Sequence, residues 1–121
     1  INIYDAKIAN ISLEFVVQAY ENKSKIEVLT ECVNKLKLKF QTKLNIGEAL
    51  SISDIYKTLN TITSVVDTKS VLIKSVNYSG YSQYVFDVYE NLSADETYID
   101  VPQDTILEIK YPDIDIKGTV I

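Results

Sequence analysis

Residues 11–20 alternate, with Ile11, Leu13, Phe15, Val17 and Ala19 on one side and Ser12, Glu14 and Gln18 on the other. A period of two over this length predicts a half-buried strand. Val16 and Tyr20 interrupt the polar side, so that face is expected to be partly covered too. After the turn Glu21-Asn22-Lys23 the period changes. Ile26, Leu29, Val33, Leu36 and Phe40 recur every three or four residues, which is one stripe of a helix over residues 25–41. Ser24 and Glu27 form an S-x-x-E capping box at its start, in which each side chain can satisfy the other residue's free backbone N–H.

Asn45-Ile46-Gly47 predicts a turn, and Ala49, Leu50 and Ile52 a short extended piece. Ser53 or Asp54 is placed to cap a second helix with apolar positions Ile55, Tyr56, Leu59 and Ile62. Thr61, Thr63 and Ser64 weaken and end it. Residues 65–76 read as a strand whose alternation drifts, which allows a register change or bulge. Asn77 to Ser82 is a loop in which Gly80 can take positive φ. Residues 83–89 predict a strand, and Asn91 to Glu96 a polar loop. Tyr98, Ile99 and Val101 predict a strand that Pro102 ends or marks as an edge. Residues 106–111 alternate as a last strand, Pro112-Asp113 turns, and residues 114–117 form a short extended tail. Two helices between the first and third extended segments define an α+β fold. Both helices are expected on one face of a small mixed or antiparallel sheet.

Composition narrows the chemistry. A chain of 121 residues with a hydrophobic fraction of 46% fits one domain, spanning 1–121. It has no Met and begins at Ile1, so it is read as an excised or processed piece of a larger protein. No apolar run approaches the ~20 residues that span a bilayer, and no direct membrane insertion is expected. Net charge is −5 and every basic residue is Lys. Without the planar fork of Arg, an acidic chain is a poor nucleic-acid reader. Lys35, Lys37, Lys39 and Lys43 are therefore read as charge favourable to the end of a helix dipole.

The chain has no His and one cysteine, Cys32. The commonest general base and the zinc clusters are thereby removed, and Cys32 reads as a small core or boundary residue. The glycines Gly47, Gly80 and Gly118 form no phosphate loop. Asp113 and Asp115 would share a face of an extended segment, and Asp87, Asp95, Glu96, Asp100 and Asp104 are further acids. None has the spacing of a calcium loop, and all read as solvated surface. No catalytic residue, metal or cofactor is expected, and the chain is read as not an enzyme.

Aromatic residues supply the interaction signal. Tyr78, Tyr81, Tyr84, Phe86, Tyr89 and Tyr98 crowd one stretch of loop and strand. Tyrosine joins apolar area to a polar tip, which favours protein interfaces. These six are the candidate contact residues.

One segment carries a family likeness. Ile46-Gly47-Glu48, Leu50-Ser51-Ile52-Ser53-Asp54-Ile55-Tyr56, Leu59 and Val65-Val66-Asp67 follow a fixed order: glycine turn, short strand, capped helix, valine-rich entry to a strand. This resembles the C-terminal region of baseplate J-like proteins, the wedge subunits of contractile phage tails. The preceding strand and capped helix fit the same domain. The run from Ile106 to Gly118 looks like wedge proteins of T4-like phages. Where many family members have Pro-Gly before the valines, this chain has Thr63-Ser64. The resemblance implies a virion structural subunit, made in the host cytoplasm. Such a subunit self-associates as a homodimer or ring and contacts other wedge proteins. The alternative is a non-enzymatic protein-binding or small-ligand-sensing α+β module of another system.

Overall fold

The computed structural model describes residues 7–41 and 47–121. Ile1 to Ile3, Lys43, and Asn45 and Ile46 of the glycine turn lie outside the described residues. The fold is α+β. A long strand, β1 (Lys7–Ala19), runs through the centre. Then come α1 (Lys25–Gln41), β2 (Leu50–Ser51), α2 (Ile52–Asn60) and β3 (Val65–Ser75). The chain ends with β4 (Tyr98–Ile99), β5 (Thr105–Glu108), a one-turn helix α3 (Pro112–Asp115) and β6 (Ile116–Val120).

The sheet is mixed. β3 lies antiparallel along one edge of β1. The other edge is shared by two parallel segments, β5 beside residues 7–10 and β6 beside residues 13–17. Between them α3 lifts the chain off the edge and returns it further along. A separate two-stranded ladder joins β2 to β4. α1 packs over β6, α2 over β3, and the helices touch each other, so both cover one sheet face as the periodicity predicts.

Every position on the predicted inner side of β1, from Ile11 to Ala19, is buried. The strand also extends further toward the N-terminus than residue 11, because Lys7 to Asn10 find β5 as a partner. The bounds of α1 match the periodicity, and Glu27 N–H donates to Ser24 Oγ at 3.4 Å. The buried seam is Val28, Cys32 and Leu36, while Leu29, Val33 and Phe40 flank it and Ile26 is 79% exposed. The apolar stripe is thus rotated from the line that the core covers.

The drift in β3 has a defined cause. Val16 pairs with Ser70 and Val17 with Thr68, and Gln18 pairs with Asp67 and Ala19 with Val65. Lys69 and Val66 are the extra residues of two bulges. Each bulge resets the alternation, so that Val65, Thr68 and Ile73 all face the core.

Gly118 sits opposite Phe15. A Cβ there would lie 2.1 Å from the Phe15 ring, so the glycine provides the space that the aromatic ring fills.

Four sequence expectations are corrected. Residues 83–89 form no strand, although their side chains do alternate: Phe86 and Val88 are buried, Val85 and Tyr89 exposed. Period two reported burial, but this backbone has no ladder partner. The second helix begins two or three residues earlier than a cap at Ser53 or Asp54 would place it. Ser51 is the cap and its Oγ accepts from Asp54 N–H at 3.1 Å. The strand expected over 106–111 is only Thr105–Glu108. The tail expected as extended is α3 followed by β6, so Asp113 and Asp115 lie on a helical turn and do not share an extended face.

Candidate interaction surface

Buried Asn10 anchors the loop that carries most of the aromatic residues. Its Oδ1 accepts from Ser82 N–H at 2.7 Å and its Nδ2 donates to Glu108 at 3.3 Å. Its backbone carbonyl accepts from Val76 N–H at 2.9 Å. One buried residue, through its side chain and its backbone carbonyl, therefore fixes both ends of the turn that passes through Gly80 at φ +95°.

On that turn Tyr81 meets Tyr78 and, from the start of α3, Tyr111 edge to face, with ring centroids 5.1 and 5.2 Å apart. Tyr81 Oη donates to Asp115 Oδ2 at 2.7 Å, and Asp115 is only 4% exposed. The carboxylate, with partial burial, pushes the Tyr81 phenol well above its usual value. Tyr111 Oη and Lys110 Nζ both donate to the Gly80 carbonyl, at 3.1 and 2.8 Å. Lys7 lies over the Tyr84 ring, 5.3 Å from its centroid.

The second aromatic-bearing loop is tied by Ser93, Asp95 and Thr97. Asp95 Oδ1 accepts from both hydroxyls and from Thr97 N–H. The donors, Thr97 foremost, hold the Asp95 carboxyl below its usual range. Ser93 Oγ accepts from the N–H groups of Thr97 and Tyr98. Glu96 takes φ +60° within this turn. The loop also supports α2: the Thr97 carbonyl accepts from Ile52 N–H at 2.8 Å and Ser53 N–H at 3.1 Å. Together with Ser51 Oγ it satisfies three of the free donors that begin a helix.

These constraints divide the six candidate contact residues. Tyr78, Tyr89 and Tyr98 are exposed, at 66%, 69% and 42%. Tyr81 and Tyr84 are half-buried and serve the loop packing. Phe86, 3% exposed, belongs to the core and is withdrawn from the surface set. Val85, 69% exposed, joins the surface beside Tyr89. Both border an open recess of about 460 Å³ that includes Lys74, Asn77 and Asp87. The alternation of residues 83–89 could have found Val85, since it lies on the side opposite Phe86 and Val88.

Elsewhere the expected chemistry is sparse. Cys32 is fully buried, and desolvation, with Glu31 nearby, pushes its thiol up to about 11. Asp113 is exposed and pairs with Lys37, one of the helix-end lysines. No cluster of three or more His, Cys, Asp or Glu side chains that could hold a metal occurs among the described residues. No helix among them is long and apolar enough to cross a membrane. No protein-family model matches this chain, and no match emerges among curated proteins.

Proposed function

We propose that this chain is a structural domain of a contractile-tail baseplate subunit, acting by self-association and contact with other wedge proteins rather than by catalysis. The observation that carries the proposal is the fold of the segment bearing the resemblance. Gly47 turns at φ +73°, β2 is two residues long, α2 is capped by Ser51, and Val65 opens a long strand. That is the element order the resemblance implies. A second support is the exposed aromatic and aliphatic set Tyr78, Val85, Tyr89 and Tyr98. Tyr78 stands on a turn tied down by Asn10, and Tyr98 next to one tied by Ser93 and Asp95, so docking these two costs little ordering entropy.

The test is sedimentation velocity over a range of concentrations. The proposal expects a dimer or larger species, and Val85→Ser with Tyr89→Ser to shift it toward monomer without loss of helical signal. A chain that stays monomeric at the highest concentration, alone and when joined to the rest of its subunit, would refute the self-association. The baseplate assignment is tested separately by the neighbouring genes, which should encode tail-tube, sheath or other wedge proteins.

A further inference from the structure

β3 is the outermost strand of its sheet, and only its edge toward β1 is paired. Val76 N–H donates to the Asn10 carbonyl at 2.9 Å. In an antiparallel pair alternate residues face the partner strand, so Ser70, Leu72 and Lys74 also turn their backbone groups toward β1. Val71, Ile73 and Ser75 turn theirs outward. No hydrogen bond among the described residues reaches these outward N–H and C=O groups. Bulges and lysines often guard an open edge against another strand. Here both bulges lie before Ser70, and Lys69 lies with them. Lys74 is drawn to Glu14, 3.4 Å away on β1. The run from Ser70 to Ser75 is thus a regular, unguarded edge.

A recess of about 180 Å³ borders the same run at Val71, Leu72 and Ile73. Its other walls are largely apolar, from Ile52 of α2 to Val88, Leu92 and Ile99. A cavity of ~150 Å³ holds a benzene ring, so this one suits a single leucine, isoleucine or phenylalanine side chain. An extended chain laid along β3 would send every second side chain to the side on which Ile73 lies. Glu96 is the one charged residue lining the recess. It is exposed and makes no ion pair among the described residues. The rings of Tyr56 and Tyr89 line the recess with it. A carboxylate beside two aromatic rings complements an ammonium or guanidinium group.

Two occupants from within are disfavoured. Residues 83–89 cannot move onto the edge, because Phe86 and Val88 are held in the core. Residues 85–89 also border the adjoining recess at Lys74 and Ser75. Each copy therefore carries a wall beside its own edge, which keeps the β3 edges of two copies apart but admits a single extended chain. We propose that the free edge of β3 binds an extended segment of a partner protein as an added strand. A large apolar side chain of that segment fills the recess, and a Lys or Arg two residues away faces Glu96. The inference does not depend on the baseplate reading.

The test is selection of short random peptides against the whole chain, followed by NMR titration with the selected peptides made synthetically. Enrichment of a large apolar residue with Lys or Arg two positions away is expected, with amide shifts centred on Val71, Ile73 and Ser75. Methylating the peptide's backbone nitrogens one at a time should abolish binding at alternate positions only, as a ladder requires. Glu96→Lys should weaken these peptides about tenfold or more and turn the selection toward acidic ones. Val71→Pro removes an outward donor where an edge strand accepts proline, and should weaken binding to a similar degree. Should that variant fail to fold, Glu96→Lys and the methylated series decide. Absence of any enriched pattern would overturn the proposal, as would binding indifferent to methylation at every position. Loss of self-association in a folded Val71→Pro, with no peptide selected by wild type, would also overturn it and assign the edge to a second copy.

Discussion

The layer built from β1, α1, α2 and β3 and the irregular stretch from Val76 to Asp104 are held together differently. In the first, long elements bury one side chain after another, and the backbone is satisfied within helices or along a ladder. In the second, ordered structure is two residues of β4 and one isolated bridge, Leu92 to Ile99. Its order comes from a few polar side chains: Asn10, Ser93 and Asp95 accept from backbone N–H groups, and the Thr97 hydroxyl donates to Asp95. The layer's stability is spread over many apolar contacts, while the loops depend on single acceptors. Damage should accordingly be graded in the core and local in the loops.

The largest effect should come from the layer. Phe15→Ala empties the centre of β1 and should cost about 3–5 kcal/mol, read as a fall in the urea midpoint. Gly118→Ala should cost about 1–3 kcal/mol through overpacking against the same ring. The two substitutions together should cost less than their sum, because each relieves the other. Simple additivity would show that ring and glycine do not share the space.

Alkaline stability probes the same layer. The Cys32 thiol is raised in the folded state from 9.0 to about 11. A raised acid favours its protonated, folded form, so its contribution is full below pH 9 and lost as pH passes 9 to 11. Two units correspond to about 2–3 kcal/mol at the alkaline limit. Cys32→Ala should therefore show a flatter decline of the urea midpoint between pH 8 and 11 than wild type. At pH 8 the folded thiol should react with a disulfide reagent only as fast as the helix opens.

In the loops, Asn10→Ala leaves Ser82 N–H without its acceptor and should cost about 1–2 kcal/mol. Hydrogen exchange should accelerate over residues 77–84 while the centres of α1 and α2 keep their protection. Uniform acceleration would erase the distinction between the two regions. Ser51→Ala should cost about 1 kcal/mol and Ser53→Ala much less, by thermal melting. The reverse order would return the helix start to the position read from sequence. The smallest effect belongs to the exposed pair of Lys37 and Asp113, where Asp113→Ala should change stability by less than about 0.5 kcal/mol in a double-mutant cycle.

How far the sequence could be read follows the same division. Alternation in β1 and the three-to-four spacing in α1 depend on neighbouring residues, and both elements formed where those patterns lie. Phe86 shares the aromatic character of the tyrosines, but its place in the alternation, on the side of Val88, puts it in the core. Residues 83–89 kept their in-and-out pattern but lost their strand, because side-chain burial needs only a core beneath whereas a ladder needs a second backbone beside it. The exposed Tyr78, Tyr89 and Tyr98 were legible as aromatic residues in loops, but the structural duties of Tyr81 and Tyr84 were not. Those arise from Asp115 and Lys7, far away in the chain.

The sequence by itself determined the α+β class, the inner face of β1 and the bounds of α1, since hydrophobic periodicity is a local property. Tertiary structure decided that β5 and β6 share one edge of β1, that Thr97 sets the start of α2, and that Asp115 is buried beneath Tyr81. Each of these joins groups distant along the chain, whose hydrogen-bonding and burial requirements are met only once the fold brings them together.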